Sequence, residues 1–115
     1  MTDTLQGFYS IYMASKAGES VAVVAMADDV ICGAAMDGTT FDGTVSPAAN
    51  GQQVRLKVVV PPSGYLIQDF EVGPEGLAYE LSFTLPEDFA VRDYVTVQTP
   101  YGPVNARFRL LRGIP

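Results

Sequence analysis

The stretch VAVVAMADDVICGAAMDGTTFDGTVS, residues 21–46, reads as three short strands separated by two tight turns. Asp28-Asp29 divides the first strand from the second, and Asp37-Gly38 divides the second from the third. Aspartate and glycine accept the positive φ that tight hairpin turns demand, so both dipeptides predict hairpins. Three strands cannot bury an apolar face well by themselves, and we therefore expect the rest of the chain to supply more strands.

Further strands are predicted on both sides of this stretch, where branched and aromatic residues cluster between turn residues. The clearest of them, residues 77–85, alternates apolar with small or polar side chains, which is the period of a strand with one buried face. Residues 65–72 could form a strand or a long connection, and residues 86–90 could form a single helical turn. The predicted strands are residues 7–15, 20–27, 30–36, 39–46, 53–60, 77–85, 94–99 and 104–111.

This spacing predicts an all-β fold, a single antiparallel up-and-down β-barrel of about eight strands with at most one short helix. Pairing of the first strand with the last would remove exposed sheet edges, which favours a barrel over an open sheet. The chain has 115 residues, of which 48% are hydrophobic, so we expect one domain over residues 1–115 with its own core.

The charge balance is acidic and uneven along the chain. The formal net charge is -6, and residues 1–50 hold only one base, Lys16, against six acids. A nucleic acid would be repelled by this excess of negative charge, so we predict no nucleic-acid partner. If the protein has a charged partner, we expect a basic protein that meets the first half of the chain. A simple acidic, soluble surface is the alternative.

Targeting signals are missing from the sequence. The first seven residues, MTDTLQG, lack the basic region of a signal peptide, and the longest apolar run, residues 21–27, is far shorter than a membrane span of about 20 residues. A single cysteine, Cys32, excludes an internal disulfide. We therefore expect a cytoplasmic location and no membrane association.

Residues that could support catalysis are scarce. The chain has no histidine, so the commonest general base and metal ligand is absent. The acidic pairs Asp28 with Asp29, Asp37 with Asp42, and Glu87 with Asp88 fall at or near predicted turns, where solvated carboxylates are ordinary. We predict that the protein is not an enzyme and holds no metal or cofactor.

Two other features have a structural and a functional interpretation. Cys32 lies in an apolar strand without a basic neighbour, so we expect a small buried side chain rather than a reactive thiol. Arg107, Arg109 and Arg112 could grip an anionic partner or could line one solvated face of a strand.

The first predicted strand is apolar on both faces. Phe8 and Tyr12 share one face, while Tyr9, Ile11 and Met13 share the other. Only one set can face the core, so the other would form an exposed apolar patch of the kind that marks an interface. The second predicted strand repeats this pattern, so we predict a homodimer whose interface uses the outer face of the first two strands. The candidate interface residues are Phe8, Tyr9, Ile11, Tyr12 and Met13. A monomer in which residues 65–76 cover the patch is the alternative.

The barrel interior is the other candidate site. A small eight-stranded barrel is either filled by its own side chains or encloses one small ligand. The small residues near Gly33 would leave room for a ligand, whereas large aromatic side chains would consume it, and the sequence leaves both outcomes open. The candidate lining residues are Gly33, Ala35, Tyr79, Phe83 and Phe108.

Three short segments, GFYSI at residues 7–11, ICGA at residues 31–34 and FDGTV at residues 41–45, carry a family resemblance. Together they resemble the GrlR-like negative-regulator family of bacterial type III secretion. The resemblance implies a calycin-like or lipocalin-like barrel that dimerises, with a non-enzymatic role in restraining a transcriptional activator. Ala34 and Phe41 stand where that family has glycine and tyrosine, and the loop at residues 47–53, which is acidic in that family, carries no acid here. The alternative function is the carriage of a small apolar ligand or lipid inside the barrel.

Overall fold

The computed structural model describes residues 6–16, 18–62 and 72–114, which form one eight-stranded antiparallel sheet. The strands are β1 (Gly7–Ala14), β2 (Glu19–Ala27), β3 (Val30–Ala35), β4 (Thr40–Ala48), β5 (Gly51–Val60), β6 (Leu77–Pro86), β7 (Val95–Thr99) and β8 (Gly102–Gly113). Their order in the sheet is β6-β5-β4-β3-β2-β1-β8-β7, and β6 and β7 approach each other at the two edges. The sheet is therefore a nearly closed up-and-down barrel, and the predicted fold class is confirmed.

The two turns of the opening stretch have the predicted chemistry. Asp28 and Asp29 connect β2 to β3 with φ values of 51° and 70°, and Gly38 in the next turn has a φ of 94°. The backbone N–H of Thr39 donates a hydrogen bond to the Asp37 carboxylate at 2.9 Å, which holds that turn between β3 and β4. Short local signals are sufficient here because each turn involves only its own residues.

Alternation along the strands places one face of each inside the barrel. Along β6 the alternation is as predicted, and β5 alternates in the same way, with Val54, Val58 and Leu85 among the most buried side chains. Gly43 on β4 is required by close packing, because a Cβ there would overlap the Arg55 carbonyl oxygen and lie 2.9 Å from the Leu56 Cα. Bending of the sheet at such points is what allows it to close.

One end of the barrel, which we call the Phe89 end, carries the β2–β3, β4–β5 and β6–β7 connections. Phe89 is 3% exposed, and its ring centroid lies 5.4 Å from that of Tyr9 and 5.4 Å from that of Phe108. Residues 87–90 form turns rather than the predicted helical turn, and the Phe89 N–H donates to the Pro86 carbonyl at 3.1 Å. These turns carry Phe89 into the core.

Two sequence predictions about burial are wrong. Alternation along β8 predicts that Leu110 is buried together with Phe108, but Leu110 is 51% exposed. It pairs with the inward Tyr9 and so keeps the alternation, but it lies near the end of β8, beside the shift of the β1–β8 register between Phe8 and Tyr9. Cys32 is exposed rather than buried. Ile31 points inward, so the neighbouring Cys32 must point outward, between Ala25 and Asp42 of the adjacent strands.

The described residues contain no helix, and so none that is long and apolar enough to cross a membrane. The stretch at residues 65–71, for which a strand or a long connection was predicted, lies outside the described residues. Val72, the first described residue after it, packs beside Val60 and Leu77.

Candidate functional site

The barrel interior holds a partly open cavity of about 110 Å³ on the side away from Phe89. We call that side the Thr39 end, since Thr39 and the β3–β4 turn lie there together with the β1–β2 and β7–β8 turns. Polar residues contribute a small part of the lining, namely Ser20, Asp37, Thr39 and Thr99. The apolar part comes from the inward faces of the strands: Ile11, Met13, Val24, Ile31, Ala35, Phe41, Leu56, Val58, Tyr79, Leu81, Phe83, Val97, Val104, Ala106 and Phe108.

Four of the five residues predicted to line the interior do so, namely Ala35, Tyr79, Phe83 and Phe108, whereas Gly33 does not. A Cβ on Gly33 would overlap the Val23 carbonyl oxygen and lie 2.6 Å from the Val24 Cα. The missing side chain of Gly33 therefore gives space to the neighbouring strand and not to a ligand. The sequence did not predict that Val97 of β7 lines the cavity, because ordinary alternation is the only pattern at that position.

The acidic pairs considered as catalysts do not converge. Asp28 and Asp29 are exposed in the β2–β3 turn, at the opposite end from the cavity. Asp37 lines the cavity, whereas Asp42 points outward from β4 between Cys32 and Lys57. Among the described residues, no group of three His, Cys, Asp or Glu side chains is placed to hold a metal ion.

Glu87 and Asp88 belong to the β6–β7 connection at the Phe89 end. The Asp88 carboxylate accepts a hydrogen bond from the Arg92 Nε at 2.6 Å, four residues along the chain, and both side chains are about half exposed. An exposed pair of this kind contributes little stability. These carboxylates therefore have the surroundings of surface residues.

The arginine stripe of β8 has a structural role that its sequence did not reveal. The Arg109 guanidinium donates to the carbonyl oxygens of Ala90 at 3.3 Å and of Arg92 at 2.9 Å. The Arg107 Nε donates to the Asp93 carbonyl at 3.1 Å. Two of the three arginines thus fasten the β6–β7 connection to the barrel wall, and Arg112 is exposed. Because these carbonyl groups belong to a loop distant in sequence, no local sequence pattern predicts the role of the arginines.

A second candidate site is the apolar face, which we define as the outward side chains Phe8, Tyr12, Val21, Val23, Val30, Cys32 and Ala34 of β1–β3. Phe8 and Val23 are 43% and 48% exposed, and Tyr12 pairs directly with Val21. No charged residue belongs to this set. At its rim the Tyr12 hydroxyl donates a hydrogen bond to the Glu19 carboxylate, which raises the pKa of Tyr12.

Only two of the five residues proposed for an interface belong to the apolar face. Phe8 and Tyr12 point outward, whereas Tyr9, Ile11 and Met13 point into the barrel and line the core or the cavity. The inclusion of Tyr9, Ile11 and Met13 among interface residues is therefore corrected. Both sets are apolar, so the sequence alone could not choose between them.

Burial of Tyr9 makes stability depend on alkaline pH, because burial raises the pKa of its phenol. Unfolded tyrosine ionises with a pKa of about 10, so above that pH the unfolded state loses a proton that the folded state retains. The contribution of Tyr9 to stability should be complete below about pH 10 and be lost as the pH rises through the folded pKa.

Denaturant titrations from about pH 9 to 11 should show a shallower loss of stability in Tyr9→Phe than in the wild-type protein. Tyr94→Phe, at an exposed position, provides the comparison for loss of a surface hydroxyl. Parallel profiles for the wild type and Tyr9→Phe would contradict this linkage.

The described residues thus offer a partly open apolar cavity and an exposed apolar face. The cavity suits a small molecule, and the face suits another protein surface. In comparisons with known proteins, no family model, no curated protein and no solved structure matches this chain.

Proposed function

We propose that the protein is a non-enzymatic, cytoplasmic regulator that acts as a homodimer and restrains a transcriptional activator of bacterial type III secretion by binding it. The apolar face carries this proposal, because an exposed uncharged surface on a barrel wall is the feature that most needs a protein partner. The similarity of residues 7–45 to the GrlR-like family supports the regulatory part of the proposal.

The apolar face has a suitable size for self-association. With full areas of about 150–250 Å² for large side chains, the exposed fractions of its five large members amount to roughly 400 Å². An interface of about 800 Å² per partner is a little over half apolar, so this area supplies most of its apolar share. Two copies related by a two-fold axis would each bury the same patch.

The acidic first half of the chain favours a basic partner for the dimer. Asp28 and Asp29 lie side by side in an exposed turn at the Phe89 end. Adjacent carboxylates on a projecting turn would attract a basic regulator and speed its association. Because both residues have positive φ, asparagine is the substitution that removes their charge with the least backbone strain.

The variant Asp28→Asn/Asp29→Asn should bind the purified activator about threefold to tenfold more weakly than the wild type, with a reduced dependence on salt. Isothermal titration at two salt concentrations measures both effects. Glu75→Gln is the matched control, since Glu75 is an exposed acid outside the Phe89 end, two residues before β6. Equal affinity for the wild type and the double variant would rule out docking through this turn.

The regulatory role is tested in the bacterium that encodes the protein. Deletion of its gene should raise transcription of the type III secretion genes, and a plasmid copy of the wild-type gene should restore repression. Unchanged transcript levels after deletion would contradict the proposed function, whatever the oligomeric state.

A second candidate function, carriage of a small apolar ligand, is favoured by the cavity. Its volume of about 110 Å³ is comparable to that of an engineered cavity of about 150 Å³ that admits benzene. Drug-sized and cofactor pockets occupy about 300–1,000 Å³. The cavity therefore suits a molecule near the size of benzene better than a whole lipid.

A further inference from the structure

The positive charges of the chain are all placed away from the cavity lining. The chain has seven Lys and Arg residues and no histidine, and all seven lie in the described ranges. None of them lines the cavity. Arg109 is half-buried against the β6–β7 connection. The other six are exposed, namely Lys16, Arg55, Lys57, Arg92, Arg107 and Arg112.

Among the described residues, the polar groups that line the cavity are one carboxylate and neutral hydroxyls. Asp37 contributes the carboxylate, and Ser20, Thr39, Tyr79 and Thr99 contribute hydroxyl groups. The Thr99 hydroxyl already donates to the Gly102 carbonyl at 2.7 Å and accepts from the Tyr101 N–H at 3.1 Å. Thr39 is buried, and its backbone N–H is already directed to the Asp37 carboxylate at 2.9 Å. A second carboxylate brought into this space would meet a like charge and no cation.

We infer that the cavity selects ligands by charge, binding small uncharged apolar molecules near the size of benzene and rejecting carboxylates of the same size. This inference rests on the second candidate function, the binding of a ligand in the barrel interior. A charged group that leaves water without a compensating partner is strongly disfavoured. A neutral molecule with one hydroxyl group loses little, because the Ser20 and Thr39 hydroxyls can accept or donate a hydrogen bond.

Benzyl alcohol and benzoate form a matched pair of probes, since they share the aromatic ring and differ chiefly in charge. Titration of each into the wild-type protein at pH 7, followed by amide chemical shifts, should show saturable binding of benzyl alcohol. The largest shifts are expected near Ala35 and Phe108, which line the cavity from β3 and β8. Benzoate should bind at least about tenfold more weakly.

Variants locate the binding and test the role of charge. Ala35→Leu fills the cavity and should abolish binding of benzyl alcohol, whereas Ala78→Leu adds the same atoms at an exposed position of β6 and should leave binding unchanged. Val97→Leu adds one methylene group from β7 and serves if Ala35→Leu fails to fold. Ser20→Lys places an ammonium group in the lining and should raise the affinity for benzoate.

The outcomes separate this inference from the function on which it rests. Equal binding of the two probes would overturn charge selection and leave ligand carriage standing. Failure of both probes to bind would overturn both proposals. Binding of benzyl alcohol that persists in folded Ala35→Leu and Val97→Leu would place the probe outside the cavity and would also overturn the inference.

Discussion

Replacement of Phe89 by alanine should lower the free energy of unfolding by about 3–5 kcal/mol. The Phe89 ring is almost fully buried and contacts the rings of Tyr9 and Phe108. Its removal loses the favourable free energy of transferring an aromatic ring out of water. It also leaves a cavity, which destabilises the folded state further. Arg109 holds the carbonyl groups on either side of Val91, so the connection cannot readily collapse into the space. We therefore expect a loss in the upper part of this range.

Equilibrium unfolding in urea measures this loss directly. Val91→Ala is the matched control, because Val91 lies two residues away in the same connection and is 77% exposed. Its free energy of unfolding should stay within about 0.5 kcal/mol of the wild-type value. A loss below about 1 kcal/mol for Phe89→Ala would show that Phe89 does not close this end of the core.

Glutamate at Val24 and at the adjacent Val23 should have opposite consequences for the fold and the dimer. Val24 is 1% exposed, pairs with Tyr9 and Gly33, and faces the cavity. A carboxylate there would be buried without a partner, and a loss above about 4 kcal/mol is expected. That is a large part of a typical stability of about 5–15 kcal/mol, so Val24→Glu should be largely unfolded.

Val23→Glu should fold like the wild type, because Val23 is 48% exposed and points away from the core. In a two-fold dimer each apolar face meets the same face of the partner, so the substitution brings two carboxylates into one interface. Light scattering should give twice the 12.3 kDa of one chain for the wild type and 12.3 kDa for Val23→Glu. Circular dichroism should show sheet for Val23→Glu and loss of sheet for Val24→Glu.

Two results would contradict the proposed interface. A wild-type mass of 12.3 kDa at micromolar concentration would exclude the homodimer. A dimer that survives Val23→Glu would place the interface elsewhere on the barrel. Ser82→Glu, at an exposed outward position of β6 and away from β1–β3, is the control for added surface charge and should leave the mass of the wild type unchanged.

The sequence by itself determined the fold class, because a barrel of this kind is encoded by local signals. The strand period of two and the turn chemistry of Asp28-Asp29 and Asp37-Gly38 each depend on a few adjacent residues. The sequence also orients the strands with one polar face, β4 to β6, since their alternation distinguishes the inside from the outside. That orientation places Tyr79 and Phe83 in the cavity lining, as predicted.

The tertiary structure decided what depends on partners distant in sequence. On β1 both faces are apolar, so only its pairing with β2 and β8 placed Tyr9 inside and Phe8 outside. Leu110 pairs with the inward Tyr9 and is still 51% exposed, beside the irregularity in the β1–β8 register near the end of β8, which alternation along the strand does not reveal. Phe89 contacts Phe108 of β8, and Arg109 of β8 donates to the carbonyl of Ala90, which follows Phe89. These contacts join segments that are distant in sequence, so no local pattern predicts them.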